Sequence, residues 1–128
     1  MGSTGAFLKT GGFTEKKWTE IGKMHGVKII KKTNANNADQ SLPPFSNTPG
    51  TAYILLDKKG RFKQYRQYKE DRSIDFDVDN GRHNNENSLH IHYGRGDNAK
   101  TIVIAKSGTI VNQKLYNRFK IFLKGAKP

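Results

Sequence analysis

The sequence predicts an α+β fold: an antiparallel sheet of four to five strands packed against an N-terminal and a C-terminal helix. Three observations predict it. Residues 51–104 alternate between short β-branched or aromatic runs and polar turns. Apolar residues near both ends recur at helical spacing. A chain of 128 residues accommodates one core, and the order helix, strands, helix suits a single two-layer domain.

The elements follow in chain order. Residues 1–13 are rich in glycine and read as a flexible N-terminus, leaving 14–128 as the domain. Thr14 is a candidate N-cap, followed by Glu15, Trp18 and Ile21 at helical spacing, with Gly26 as the stop. Val27 to Ile30 is short and β-branched, a candidate strand. Residues 33–50 read as a long loop, because Pro43, Pro44 and Pro49 cannot join a regular ladder. Leu42 and Phe45 are the residues expected to pin that loop to the core. TAYILLD, a KKGR turn and RFKQYRQY form a hairpin pattern. SIDFDV, SLHIHY and TIVIA continue the sheet, with DNGRHNNENS and GRGDNAK as the connecting loops. In the tail, Leu115, Tyr116, Phe119, Phe122 and Leu123 form the apolar stripe of a helix over residues 112–124.

Charge bounds the function. There are 23 Lys+Arg against 11 Asp+Glu, a formal net charge of +12. Such a field concentrates anions at the surface, and nucleic acid is the common partner of a compact basic domain. An acidic protein would be drawn by the same field. Cysteine is absent, which excludes disulfide staples, thiolate metal sites and cysteine nucleophiles. No apolar run reaches membrane-spanning length, and the first residues lack the pattern of a secretory signal. No glycine-rich nucleotide loop and no nucleophile elbow is present. A cytoplasmic site of action fits these features.

Strand alternation gathers the candidate chemistry. In SIDFDV, Ile74, Phe76 and Val78 take one face, and Ser73, Asp75 and Asp77 take the other. In SLHIHY, Leu89, Ile91 and Tyr93 face one way, and His90 and His92 the other. The preceding strand adds either Gln64, Arg66 and Tyr68 or Lys63, Tyr65 and Gln67. One reading is RNA cleavage without a metal or any other cofactor. His90 and His92 would serve as acid and base, since imidazole titrates near neutral pH. Arg66 would stabilise charge on the phosphate, Asp75 or Asp77 would orient an imidazole, and Tyr68 would hold a base. Gln64, Arg82, His83, Arg95, Lys114 and Arg118 would contact the nucleic acid. A second reading is a metal-dependent hydrolase built on the H-x-H pair and a nearby carboxylate. A third is a polar sheet face that binds nucleic acid or a protein partner and catalyses nothing.

The central block adds a resemblance. Leu42, Pro43, Phe45 and Ser46 are followed by Asp57 and Gly60, then by Gln64, Arg66 and Tyr68. Asp75 and Asp77 come next, and His90 and His92 close the series. This order resembles a C-terminal toxin-domain family of bacterial polymorphic toxins and phage-like effector proteins, over residues 42–93. The resemblance implies a cytotoxic ribonuclease of barnase-like or RelE-like compact type, acting on RNA such as tRNA. It also implies a cognate acidic immunity protein, and it selects the Gln64, Arg66, Tyr68 parity. The loop between the D-x-D and H-x-H segments is longer here and rich in asparagine, which bears on the role of His83.

Overall fold

The structure is a computed structural model, and it describes residues 18–33, 40–83, 86–94 and 96–123. The residues read as a flexible N-terminus lie outside that set. Among the described residues, eight strands form a single sheet in the order of the chain. They are β1 (Trp18–Met24), β2 (Val27–Lys32), β3 (Ala52–Leu56), β4 (Phe62–Tyr68), β5 (Ile74–His83), β6 (Glu86–Tyr93), β7 (Lys100–Lys106) and β8 (Thr109–Ile110). A short helix, α1 (Gln113–Phe119), follows, extended by a 3-10 turn over Lys120–Phe122. β2 and β3 run parallel and every other neighbouring pair is antiparallel.

The predicted α+β fold with helices at both ends is therefore corrected to a mostly-β one. Two turns explain the difference. His25 and Gly26 both have positive φ, of 51° and 82°, and Met24 pairs with Val27 across them. This two-residue turn, with both residues left-handed, matches the twist of a hairpin. It folds the stretch read as an N-terminal helix back as β1, so Gly26 turns a hairpin instead of ending a helix. Ser107 and Gly108, at 52° and 77°, do the same between β7 and β8. The helix read over residues 112–124 is present only as α1 and its 3-10 extension. Asn112 caps it by accepting a hydrogen bond from the Leu115 amide at 3.1 Å.

The two sheet faces are filled differently. On the first face, Ile54, Tyr65, Phe76, Val78, Leu89, Ile91 and Ile104 form a continuous core. The C-terminal segment covers it: Phe119 packs on Tyr65 and Phe76, and Phe122 packs on Tyr65 and His25. The second face is divided. Its half toward β1–β4 is apolar, with Trp18, Ile30, Leu42, Tyr53, Leu55 and Tyr68 buried together. Its half toward β4–β7 is polar.

The proline-rich loop lies over the apolar half. Trp18 Nε1 donates to the Ser41 carbonyl at 2.7 Å, and Tyr68 Oη donates to the Pro43 carbonyl at 2.6 Å. Leu42 is buried, but Phe45 is 41% exposed, so only the first of the two expected pins reaches the core. Phe45 bridges to Ser73 through its backbone. Tyr68→Phe removes one strap while keeping the ring. We expect it to lower stability by about 1 kcal/mol, because the Pro43 carbonyl keeps only the longer Arg66 contact. The urea midpoint measures this, together with faster proteolysis within residues 40–50.

Candidate functional site

The polar half of the second face is built by register. Across β4, β5, β6 and β7, Gln64 faces Asp79, Asp79 faces His90, and His90 faces Val103. In the next row Arg66 faces Asp77, Asp77 faces His92, and His92 faces Thr101. Strand period places these side chains on one side while Phe76, Val78, Leu89 and Ile91 pack on the other. The sheet thus brings His90 and His92 together with carboxylates, but it sorts the residues into two clusters.

The first cluster is an anchor. Arg66 Nε donates to Asp77 Oδ1 at 2.6 Å and Nη2 donates to Oδ2 at 3.2 Å, a fork-to-fork pair. Its Nη1 donates to the Leu42 carbonyl at 3.0 Å. Burial alone would favour a neutral Arg66, but Asp77 outweighs it and keeps the guanidinium charged. Asp77 is 4% exposed. Burial also pushes the Tyr68 phenol far above its ordinary pKa, against the pull of Arg66. Arg66, Asp77 and Tyr68 thus tie this part of the sheet to the 40–46 loop.

The second cluster is Asp79, His90 and His92. His92 Nε2 lies 3.2 Å from Asp79 Oδ2, and His90 Nε2 lies 3.9 Å from the same oxygen. The two rings stand nearly perpendicular, with centroids 4.7 Å apart. Each imidazole is held from behind. His90 Nδ1 lies 3.2 Å from the Ser88 carbonyl and 3.0 Å from Ser88 Oγ. The carbonyl only accepts, so it is bonded when Nδ1 carries a hydrogen, whereas the Ser88 hydroxyl can either donate to Nδ1 or accept from it. His92 Nδ1 bonds Thr101 Oγ1 at 2.9 Å. His90 is 2% exposed, whereas the side chains of His92 and Asp79 are about a quarter exposed, so the cluster opens to solvent on one side.

Asp79 is under electrostatic stress. Desolvation and the neighbouring Asp77 push its carboxyl above the usual range, against His92, the Gln64 amide and Arg66. Its Oδ1 is buried and has no hydrogen-bond partner among the described residues. Two imidazole nitrogens and a carboxylate oxygen within 4.8 Å of one another are a donor set that suits a divalent transition metal.

The other expected site residues are dispersed. Asp75 is the extra residue of a bulge, since Gln67 pairs with Phe76 and Tyr68 pairs with Ile74. The bulge turns Ile74 toward the apolar cluster and leaves Asp75 exposed. Gln64 stands beside Asp79. Lys114 and Arg118 lie on α1, across the sheet from the imidazoles. Arg118 sits over the Phe76 and Phe119 rings at 5.2 and 4.9 Å. The backbone of Arg82 and His83 ends β5, but their side chains, and all of Arg95, lie outside the described residues.

Asp79 is absent from the candidates that the sequence offers, because it opens DNGRHNNENS, the stretch that reads as a polar loop after Val78. The signal was present: the alternation Asp75, Asp77, Asp79 continues unbroken in the sequence, and β5 runs on to His83. Among the described residues, no helix is long and apolar enough to cross a membrane. None of the known protein-family models, curated proteins or solved structures matches this chain.

Proposed function

We propose that this protein is an RNA-cleaving domain of the effector-toxin type, with Asp79, His90 and His92 as its reaction centre. The observation that carries the reading is the convergence of two imidazole Nε2 atoms on one partly exposed carboxylate. The net charge of +12 supports it, because a polyanion is the ligand this field concentrates. The ordered motifs from Leu42 to His92 support it as well. The geometry does not divide the histidines between a base and an acid on opposite sides of a phosphate: both point to the same place, and one is sealed from solvent. The anchored Arg66 leaves phosphate contact to other cations of the domain. An acidic inhibitor protein is the natural antagonist of such a surface, and the site of action is a cytoplasm.

Incubation with total RNA tests the reading. We expect cleavage by the wild-type protein and a rate lower by roughly 100-fold or more in His92→Ala, the scale of losing a directly acting group. The fold should persist in that variant, since His92 is partly exposed. Intact RNA, retarded equally by wild type and variant, would instead make the domain a binding module.

A further inference from the structure

We infer that Asp79, His90 and His92 form a binding site for one divalent transition-metal ion of the zinc class. The geometry comes first. Ligands about 2.0–2.2 Å from a tetrahedral ion lie roughly 3.3–3.6 Å from each other. The observed separations from Asp79 Oδ2, 3.2 Å to His92 Nε2 and 3.9 Å to His90 Nε2, bracket that value. All three donor atoms lie within 4.8 Å of one another, so side-chain movements of up to about 1 Å close the site around an ion.

The surroundings point the same way. Metal-bound imidazoles are usually oriented by a hydrogen bond from the second ring nitrogen to a carbonyl or another oxygen. Here Ser88 does this for His90 and Thr101 for His92. Asp79 Oδ1 is a buried acceptor without a donor among the described residues, and a second carboxylate, Asp77, lies in the adjacent row. Burying a carboxylate beside a second one is costly, and a cation on Asp79 Oδ2 would offset that cost. The ligands stand on adjacent strands in the middle of the sheet, where backbone hydrogen bonds hold their spacing.

The donor set also sets the kind of site. Two imidazoles and one carboxylate favour zinc or iron over calcium or magnesium, which prefer oxygen alone. Three protein ligands leave at least one position open, as in catalytic centres and unlike closed structural ones. The exposed side of His92 and Asp79 is where that position faces. Binding of the ion does not depend on the RNA-cleaving reading; its catalytic meaning does.

The test uses the full chain, stripped with a chelator and titrated with cobalt(II) and then zinc. We expect one cobalt per chain, with the visible d–d absorption of a low-coordinate site, displaced by zinc. Zinc at 100 times its Kd should raise the folding equilibrium constant about 100-fold, read as a higher Tm. Asp79→Asn and His92→Gln, both at partly exposed positions, should abolish the cobalt spectrum. Thr101→Val should weaken affinity by about 10- to 100-fold. Asp71→Asn, in the exposed β4–β5 turn, should change nothing. A stripped protein that takes up no cobalt or zinc, or folded Asp79 and His92 variants that bind as wild type does, would overturn the inference. Metal binding without RNA cleavage would leave the inference standing and remove the proposed function. RNA cleavage at full rate by stripped protein that binds no metal would do the reverse.

Discussion

Arg66→Ala should destabilise the fold by about 3–5 kcal/mol, the cost of removing one partner from a buried ion pair. Asp77 would be left 4% exposed without its fork of donors, close to the already stressed Asp79. The Leu42 and Pro43 carbonyls would lose a donor as well. In a domain of this length the loss corresponds to a fall in Tm on the order of 10–20 °C. Thermal and urea unfolding, followed by circular dichroism, measure it. Arg66→Met combined with Asp77→Leu should recover a large part of the loss, because the uncompensated charge is gone. An unchanged Tm in Arg66→Ala with abolished RNA cleavage would return Arg66 to the phosphate-binding role expected from the sequence.

A chain ending at Asn112 should fail to fold. The deleted segment contributes Phe119, Phe122 and Leu123 to the first-face core, all nearly fully buried. Burying each is worth about 1.5–3 kcal/mol. Together they represent about 5–9 kcal/mol, against a typical total stability of about 5–15 kcal/mol. Their loss also uncovers the Tyr65 and Phe76 rings, leaving an apolar sheet face open to water. Loss of a cooperative thermal transition and aggregation on expression are the expected readouts. A folded, monomeric truncated chain would show that the helix only decorates the sheet.

The central strands were legible because their signals are local. TAYILLD and RFKQYRQY flank a glycine turn, and both form a paired ladder, β3 with β4. The apolar alternation in SLHIHY put His90 and His92 on one face, where the structure has them. Other features were hidden for physical reasons. Trp18 and Ile21 are three residues apart, as in a helix, amid lysine and glutamate, which favour helices. What decides their conformation is the left-handed pair His25–Gly26, a weaker relative of the asparagine–glycine hairpin signal. The bulge at Asp75 was hidden because it resets strand parity without any mark in the sequence. The part that Arg66 and Tyr68 play in holding the loop was hidden because the carbonyls that engage them lie 23 to 25 residues away in the chain.

The parallel pairing of β2 with β3 has a consequence for how the chain reaches this state. Those strands meet only after the connection between residues 32 and 52 closes, whereas β3 to β8 form a meander of near neighbours. Ordering a longer loop costs more entropy before its contacts repay it, so assembly by nearest neighbours is the faster route. Asp79, His90 and His92 all sit in the meander, on a single hairpin. A domain that had to be threaded through a barrier and regain its shape beyond it would rebuild its working centre from the part of the chain with the shortest search.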